Sequence, residues 1–97
     1  MKVFIVQPQT GKTAEELRTD QEAARVALQD FYSGDEFEVL EIPQRREGEL
    51  PMEFLGRSLA EMARADCVAY REGCEDDVIC LCMNFCGAML GKESRFI

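Results

Sequence analysis

The stretch KVFIVQPQTGKT, residues 2–13, decides the fold of this chain. An apolar run at 3–6 meets Gln-Pro, then a short polar loop, and a helix start follows at Thr13. This is how the first strand of an open α/β sheet delivers a loop to the carboxyl edge of the sheet, where ligands bind in such folds. The helix N-terminus beyond the loop offers free backbone N–H groups to an anion. We therefore expect a functional site at this edge.

The composition limits the class of partner. The chain has 97 residues, which predicts a single domain over 1–97, and its net charge is −8. Binding to a nucleic-acid backbone or to an anionic membrane surface needs clustered Lys and Arg, so neither partner is expected. No apolar run is long enough for a signal peptide or a membrane span, and this predicts a cytoplasmic protein. A small anion such as a nucleotide is still allowed.

Strand and helix patterns alternate along the chain. A capping box at 13–16 opens a helix that reaches about Tyr32, and residues 37–42 are typical of a strand. A charged loop at 43–50 leads to a helix starting at Pro51, and strands are expected at 67–70 and 95–97 around a helix at 78–90. This order predicts an α/β fold, a three-layer α/β/α sandwich around a four-stranded parallel sheet.

Apolar residues at helical spacing predict which faces of the first two helices are buried. The expected stripe of the first helix is Leu17, Ala24, Leu28 and Phe31. The expected stripe of the second helix is Met52, Leu55, Leu59 and Met62.

Several short motifs follow one another along the chain: Gln7-Pro8, Gly11-Lys12-Thr13, Leu55-Gly56-Arg57-Ser58-Leu59, Ala65-Asp66 and the segment CVAYREGCEDD with the helix after it. Their order and spacing resemble the small nucleoside 2-deoxyribosyltransferase-like family, and the likeness runs over nearly the whole chain. The resemblance implies a flavodoxin-like sandwich that binds a nucleoside or nucleotide and often forms dimers or higher oligomers, and no cofactor is expected.

The resemblance also implies a position for a catalytic carboxylate. In active members, a Glu on the third helix attacks C1′ of the sugar and forms a glycosyl-enzyme intermediate. Here the matching position is Cys82 or Met83, and neither is a carboxylate. The resemblance therefore implies a binding protein with weak or absent glycosyl transfer. An active N-glycosidase or deoxyribosyltransferase that uses Asp76 or Asp77 is the alternative.

Two loops at the same sheet edge supply the expected ligand-binding residues. Gly11-Lys12-Thr13 can hold a phosphate, or it can be a plain helix cap beside a solvated Lys. The acidic run at 75–77 can bind sugar hydroxyls or supply a nucleophile, or it can be a solvated cap on the third helix. The candidate binding residues are Gln7, Pro8, Gly11, Lys12, Thr13, Gly73 and Glu75.

The chain has five cysteines and no histidine. An odd number cannot pair completely, and in a reducing compartment all five are expected to be free thiols. Cys80, Cys82 and Cys86 lie close together, which fits a zinc site, a reactive thiol or simple core packing. With no CxxC pair and no His, we expect no metal site.

The helix at 78–90 carries no charge. A helix that is apolar all round is normally covered on all sides, whereas the sheet can cover only one face. The uncharged sequence therefore predicts a homodimer, or a higher homo-oligomer, with this helix at the interface. An alternative is that the loop at 43–50 or the C-terminal residues cover this face within one chain. A further alternative is an assembly protein that binds no ligand.

Overall fold

The computed structural model describes all residues, 1–97, as alternating strands and helices. The four strands form one parallel sheet in the order β2-β1-β3-β4. This confirms the predicted four-stranded parallel sheet, and three α-helices make it compatible with an α/β sandwich. None of these helices combines the length and apolar character needed to cross a membrane. The elements are β1 (Lys2–Val6), α1 (Ala14–Phe31), β2 (Glu38–Val39), α2 (Pro51–Met62), β3 (Cys67–Tyr70), a 3-10 helix (Cys74–Asp76), α3 (Val78–Met89) and β4 (Glu93–Phe96).

Two separate apolar cores lie on opposite faces of the sheet. Successive side chains of a strand point to opposite faces, so β1 contributes to both cores. Phe4 and Val6 pack with residues of α2 and α3, whereas Val3 and Ile5 pack with residues of α1. Helix α1 therefore covers one face, and α2 and α3 cover the other.

The two edge strands differ most from the sequence prediction. Strand β2 pairs with β1 only at Glu38 and Val39, although a strand over 37–42 was expected. One more backbone bond, from Leu40 N to Val3 O, ends the ladder at 2.9 Å. Strand β4 covers Glu93–Phe96 instead of 95–97. The polar residues of β4 do not produce the apolar signal that marks a central strand, because an edge strand is half exposed. For β2 the reverse holds, because the apolar residues within 37–42 give a strand signal that extends beyond the two residues that pair with β1.

In each predicted helical stripe, one residue that was expected to be buried is exposed. The side chain of Phe31 is 54% exposed and that of Met52 is 76% exposed. The buried residues of α2 are Phe54, Ser58 and Met62, spaced four residues apart. Met52 lies about 200° around the helix from Phe54 and therefore faces away from the core.

Candidate functional site

The loops after β1 and β3 meet at the carboxyl edge of the sheet. The backbone N–H of Arg71 donates to Val6 O at 2.9 Å, and the Cys74 thiol contacts the same carbonyl at 3.4 Å. Gly73 has a φ of +93°, which favours glycine, and a Cβ there would lie 3.4 Å from Pro8 Cγ. The structure thus brings together the loops of Gln7-Pro8 and Gly73, as expected for parallel strands.

Gln7 is buried at this edge and is bonded within the chain. Its side chain is 5% exposed. The amide Nε2 donates to Asp20 Oδ2 at 2.9 Å and to Leu17 O at 3.4 Å, and the amide Oε1 accepts from Gln21 Nε2 at 2.6 Å. Both amide hydrogens are therefore already used, and the side chain joins β1 to α1.

An ion pair that the sequence did not suggest extends this network. Arg71 donates through Nε and Nη2 to Asp20 Oδ1 at 3.0 and 2.8 Å. Its third donor group, Nη1, binds Ile97 O at 3.0 Å. Asp20 and Arg71 are 51 residues apart, and nothing in the sequence around either residue indicates the other, so the pairing had no local signal. The network holds β1, α1, β3 and the chain after β4 in one arrangement.

The start of α1 forms the predicted capping box. Thr13 Oγ1 accepts from Glu16 N at 3.1 Å, and Glu16 Oε1 accepts from Thr13 N at 3.0 Å. Hydrogen bonding of the Glu16 carboxylate to the Thr13 backbone N–H, and secondarily to the Thr13 hydroxyl, lowers the pKa of Glu16. The chain's own carboxylate thus occupies one N–H group at the helix start, while Lys12 next to it stays exposed.

Lys12 borders two surface pockets of opposite character. The first has a volume of about 410 Å³ and is lined by two carboxylates, Glu15 and Glu16. The second has a volume of about 180 Å³ and contains Lys12 and Arg45 but no carboxylate. We call the second one the cationic pocket. Its lining residues are Gln9, Lys12, Ala14, Leu17, Gln44 and Arg45.

One wall of the cationic pocket comes from the loop at 43–50, which we call the strap. Gln9 binds the strap from the sheet edge, because its Nε2 donates to Pro43 O at 2.8 Å and its Oε1 accepts from Arg45 N at 3.3 Å. Arg57 of α2 binds the strap from below, donating to Gln44 O at 2.8 Å and to both carboxylate oxygens of Glu49. Two side chains thus hold the strap in place.

Within the strap, the Glu49 carboxylate forms a bidentate ion pair with Arg57. Its hydrogen bonds to the Arg57 side chain, aided by the Arg46 backbone N–H, lower the pKa of Glu49 to about 2. The same interaction raises the pKa of Arg57. The pair is bidentate, and the Glu49 side chain is 7% exposed whereas that of Arg57 is 31% exposed, so only the carboxylate is largely shielded from water.

A small cavity lies beneath the strap, beside Ser58. Its volume is about 10 Å³, and its walls are mostly apolar. Ser58 Oγ is fully buried there and has no hydrogen-bond partner. Gln9 lines both this cavity and the cationic pocket. The lining residues are Phe4, Ile5, Val6, Gln7, Gln9, Ile42, Pro43, Phe54, Ser58 and Met83.

The acidic run before α3 acts as a helix cap. Asp77 Oδ1 accepts from Cys80 N at 3.0 Å, which makes Asp77 the N-cap of α3. Glu75 and Asp76 are exposed in the preceding 3-10 helix. A catalytic role for Asp76 or Asp77 stays a prediction. Met83, at one of the two positions implied for the catalytic Glu, is buried and lines the cavity beside Ser58.

The cysteines form no disulfide, and three of the five are buried. The neighbouring Cys80 thiol lowers the pKa of Cys74, and the same interaction, together with burial, raises the pKa of Cys80. No group of three or more His, Cys, Asp or Glu side chains is placed to hold a metal ion. Packing in the core is the visible role of Cys67, Cys74 and Cys80.

The outer face of α3 remains apolar and uncovered in this chain. Four apolar side chains of the helix, spaced three or four residues apart, and that of its C-cap residue are between 46% and 74% exposed. The strap does not reach this face, because the same side chains remain in contact with water. The residues are Val78, Leu81, Phe85, Met89 and Leu90, and Phe96 of the neighbouring strand is also exposed.

Comparison of the chain with protein-family profiles, with curated proteins and with solved structures finds no match. The family to which the chain belongs is therefore not established by similarity.

Proposed function

We propose that this chain binds a nucleotide at the carboxyl edge of the sheet, with the phosphate held between Lys12 and Arg45. The observation that supports this proposal best is the cationic pocket, which is lined by two basic side chains and no carboxylate. Such a pocket is unexpected on a chain whose net charge is −8. Neither cation forms an ion pair within the chain. The amides of Gln9 and Gln44 add hydrogen-bond donors to the same pocket.

The strand order supports this location for the ligand. The order β2-β1-β3-β4 matches the first four strands of the flavodoxin-like order, in which ligands bind at the switch point between β1 and β3. We extend the proposal to a deoxyribosyltransferase-like type of fold that lacks the usual catalytic Glu. Free thiols at all five cysteines support a reducing, cytoplasmic compartment.

Titration calorimetry with a nucleoside and with its 5′-monophosphate tests this function. A charge-assisted contact contributes roughly 1.5–3 kcal/mol, so the monophosphate should bind about ten- to a hundredfold more tightly. Equal affinities would remove the phosphate role of the cationic pocket. No binding of either compound would remove the proposed function.

As a second candidate function, the chain assembles with itself through α3. The supporting observation is the uncovered apolar face, which includes Phe85 at 67% and Met89 at 73% exposure. Burying four such side chains would contribute roughly 6–12 kcal/mol before the costs of association. A two-fold dimer is the simplest assembly that covers such a face with its own copy.

Sedimentation at micromolar concentration tests the dimer. Phe85→Glu or Met89→Glu should convert it to a monomer of 11.0 kDa. Val26→Glu is the matched control, because Val26 is 51% exposed but lies on α1. A wild-type monomer, or dissociation by Val26→Glu alone, would contradict the α3 interface.

A further inference from the structure

The two edge strands of the sheet are protected to different extents. An open edge strand offers unpaired backbone N–H and C=O groups to another chain, and natural proteins usually block it with a very short strand, charges or proline. Strand β2 pairs over only two residues, and Pro43 follows shortly after it. Strand β4 pairs with β3 over four residues, contains no proline, and has no further strand on its outer side. The open edge of this sheet is therefore β4.

Ser94 and Phe96 carry the unpaired backbone groups of this edge. In a parallel ladder, the backbone groups of alternate residues point to opposite sides of the strand. The N–H of Ile97 donates to Tyr70 O at 3.0 Å, so the odd-numbered residues of β4 turn their backbone groups towards β3. The N–H groups of Ser94 and Phe96 therefore point away from the sheet. Arg95 Nη1 reaches Ser94 O at 3.4 Å, which is a long contact.

We propose that β4 pairs antiparallel with β4 of a second copy of this chain, so that the two four-stranded sheets join into one of eight strands. This inference rests on the second candidate function, assembly through α3, and names the surface that completes that interface. A two-fold axis at Ser94 places this residue opposite its own copy. Each Ser94 N–H then donates to Ser94 O of the other copy, as in a hydrogen-bonded antiparallel pair.

The charges of β4 and α3 favour a second copy as the partner. Two chains that each have a net charge of −8 repel one another unless neutral surfaces meet. Helix α3 has no charged side chain, and Glu93 and Arg95 of β4 form an ion pair. With the axis at Ser94, Glu93 lies opposite Arg95 of the second copy, and the reciprocal pair forms on the other side of the axis. The strand is therefore complementary to itself in the antiparallel orientation.

The same axis brings the apolar face of α3 against its copy. Helix α3 contacts β4, which makes it the helix nearest the open edge on its face of the sheet. Phe96 lies on this face as well, because its ring stacks on Tyr70, which belongs to the core beneath α2 and α3. Phe96 is 77% exposed in the single chain. Pairing of β4 therefore covers Phe96 together with the α3 side chains, whereas a contact between helices alone leaves the β4 edge in water.

The first test compares Ser94→Pro with Ser94→Ala. Because the Ser94 N–H points away from β3, proline removes no bond of the β3–β4 ladder but removes the donor at the axis. Sedimentation at micromolar concentration should show that Ser94→Ala dimerises as the wild type does, whereas Ser94→Pro dimerises about tenfold more weakly or less. Circular dichroism checks that both variants fold. A folded Ser94→Pro variant that dimerises as strongly as the wild type would overturn the pairing.

The second test uses amide hydrogen exchange of the wild type and decides the question even if Ser94→Pro does not fold. The Ser94 N–H should exchange about tenfold more slowly in the dimer than in the diluted monomer. Val39 on the other edge strand is the internal control. Its N–H also points away from the sheet, because the neighbouring N–H groups of Glu38 and Leu40 are the ones that bond towards β1. The exchange of Val39 should not depend on protein concentration.

The outcomes separate this inference from the candidate function on which it rests. If the wild type is a dimer that Phe85→Glu dissociates, but the Ser94 N–H exchanges at the same rate at every concentration, the continuous sheet is wrong and assembly through α3 is retained. If the wild type is a monomer at every concentration, both fail. Weaker dimerisation of Ser94→Pro, together with protection of the Ser94 N–H that rises with concentration, supports both.

Discussion

Gly87 lies where α3 packs against Tyr70 of β3, and it allows a sharp test of this packing. A Cβ placed on Gly87 would lie 2.9 Å from Tyr70 Oη, whereas the next atom, Met62 Sδ, is 3.9 Å away. Gly56 provides the matched control. It also lies within a helix, but a Cβ there meets nothing within 4 Å.

The expected magnitudes follow from these contacts. Replacing a helical glycine by alanine gains about 1 kcal/mol of helix propensity, so Gly56→Ala should stabilise the chain. Gly87→Ala has the same gain but forces the Tyr70 hydroxyl out of place, and overpacking of this kind costs roughly 1–3 kcal/mol. Tyr70→Phe removes the obstructing oxygen. Because that hydroxyl has no hydrogen-bond partner, its removal should be close to neutral.

Urea denaturation of the wild type, the two single variants and the double variant gives the coupling between Gly87 and Tyr70. We expect a coupling of roughly 1–3 kcal/mol, with Gly87→Ala stabilising only when Tyr70 is Phe. In thermal melts, each 1 kcal/mol corresponds to about 4–8 °C for a domain of this size. Additive effects, or equal stabilisation by Gly56→Ala and Gly87→Ala in the wild-type background, would refute this account of the packing.

The strap, the cap of α3 and the network at the sheet edge each give one further prediction. The pKa of Glu49, about 2, lies below its ordinary value of 4.5, so the ionised carboxylate stabilises the fold above pH 4.5 and this stabilisation disappears as the pH falls through about 2. Urea denaturation of the wild type and Glu49→Gln across pH 2–6 checks this. A difference in unfolding free energy that stays constant over this range would contradict it. Asp77→Asn removes the carboxylate but keeps the helix cap, because Asn is also a good N-cap residue. Chromatography should show that neither this variant nor the wild type cleaves deoxynucleosides. Cleavage by the wild type that the variant lacks would instead support a catalytic Asp77. Asp20→Asn should cost about 1–3 kcal/mol by leaving Arg71 without its anion. Glu22→Gln, in the exposed pair with Arg25, should change stability by less than about 0.5 kcal/mol; equal costs would argue against the network.

The elements that the sequence predicted well are those with local signals. The apolar run of β1 is continuous because a central parallel strand is buried on both faces. Thr13 and Glu16 are three residues apart, and the capping box forms from that spacing alone. The uncharged segment of α3 predicted a helix that the sheet only partly covers, and its exposed Phe85 and Met89 bear this out.

The features that the sequence did not predict depend on tertiary contacts. Asp20 and Arg71 meet only after the sheet has formed, and Arg45 comes near Lys12 only when the strap folds back over the sheet edge. The burial of Ser58 was not predicted, because a polar residue in a helix normally indicates a position that faces solvent. Met52 was assigned to the core for the converse reason, since an apolar residue on an exposed face has the same local pattern.

The most direct test of the proposed site compares three charge variants that differ only in the position of the cation lost. Lys12→Gln and Arg45→Gln each remove one charge from the cationic pocket, and Arg18→Gln removes one from an exposed position elsewhere on α1. We predict that calorimetry will show a loss of about tenfold or more in affinity for a nucleoside 5′-monophosphate in the first two variants and little change in Arg18→Gln. Equal losses in all three variants, or none in any, would contradict a phosphate site between Lys12 and Arg45.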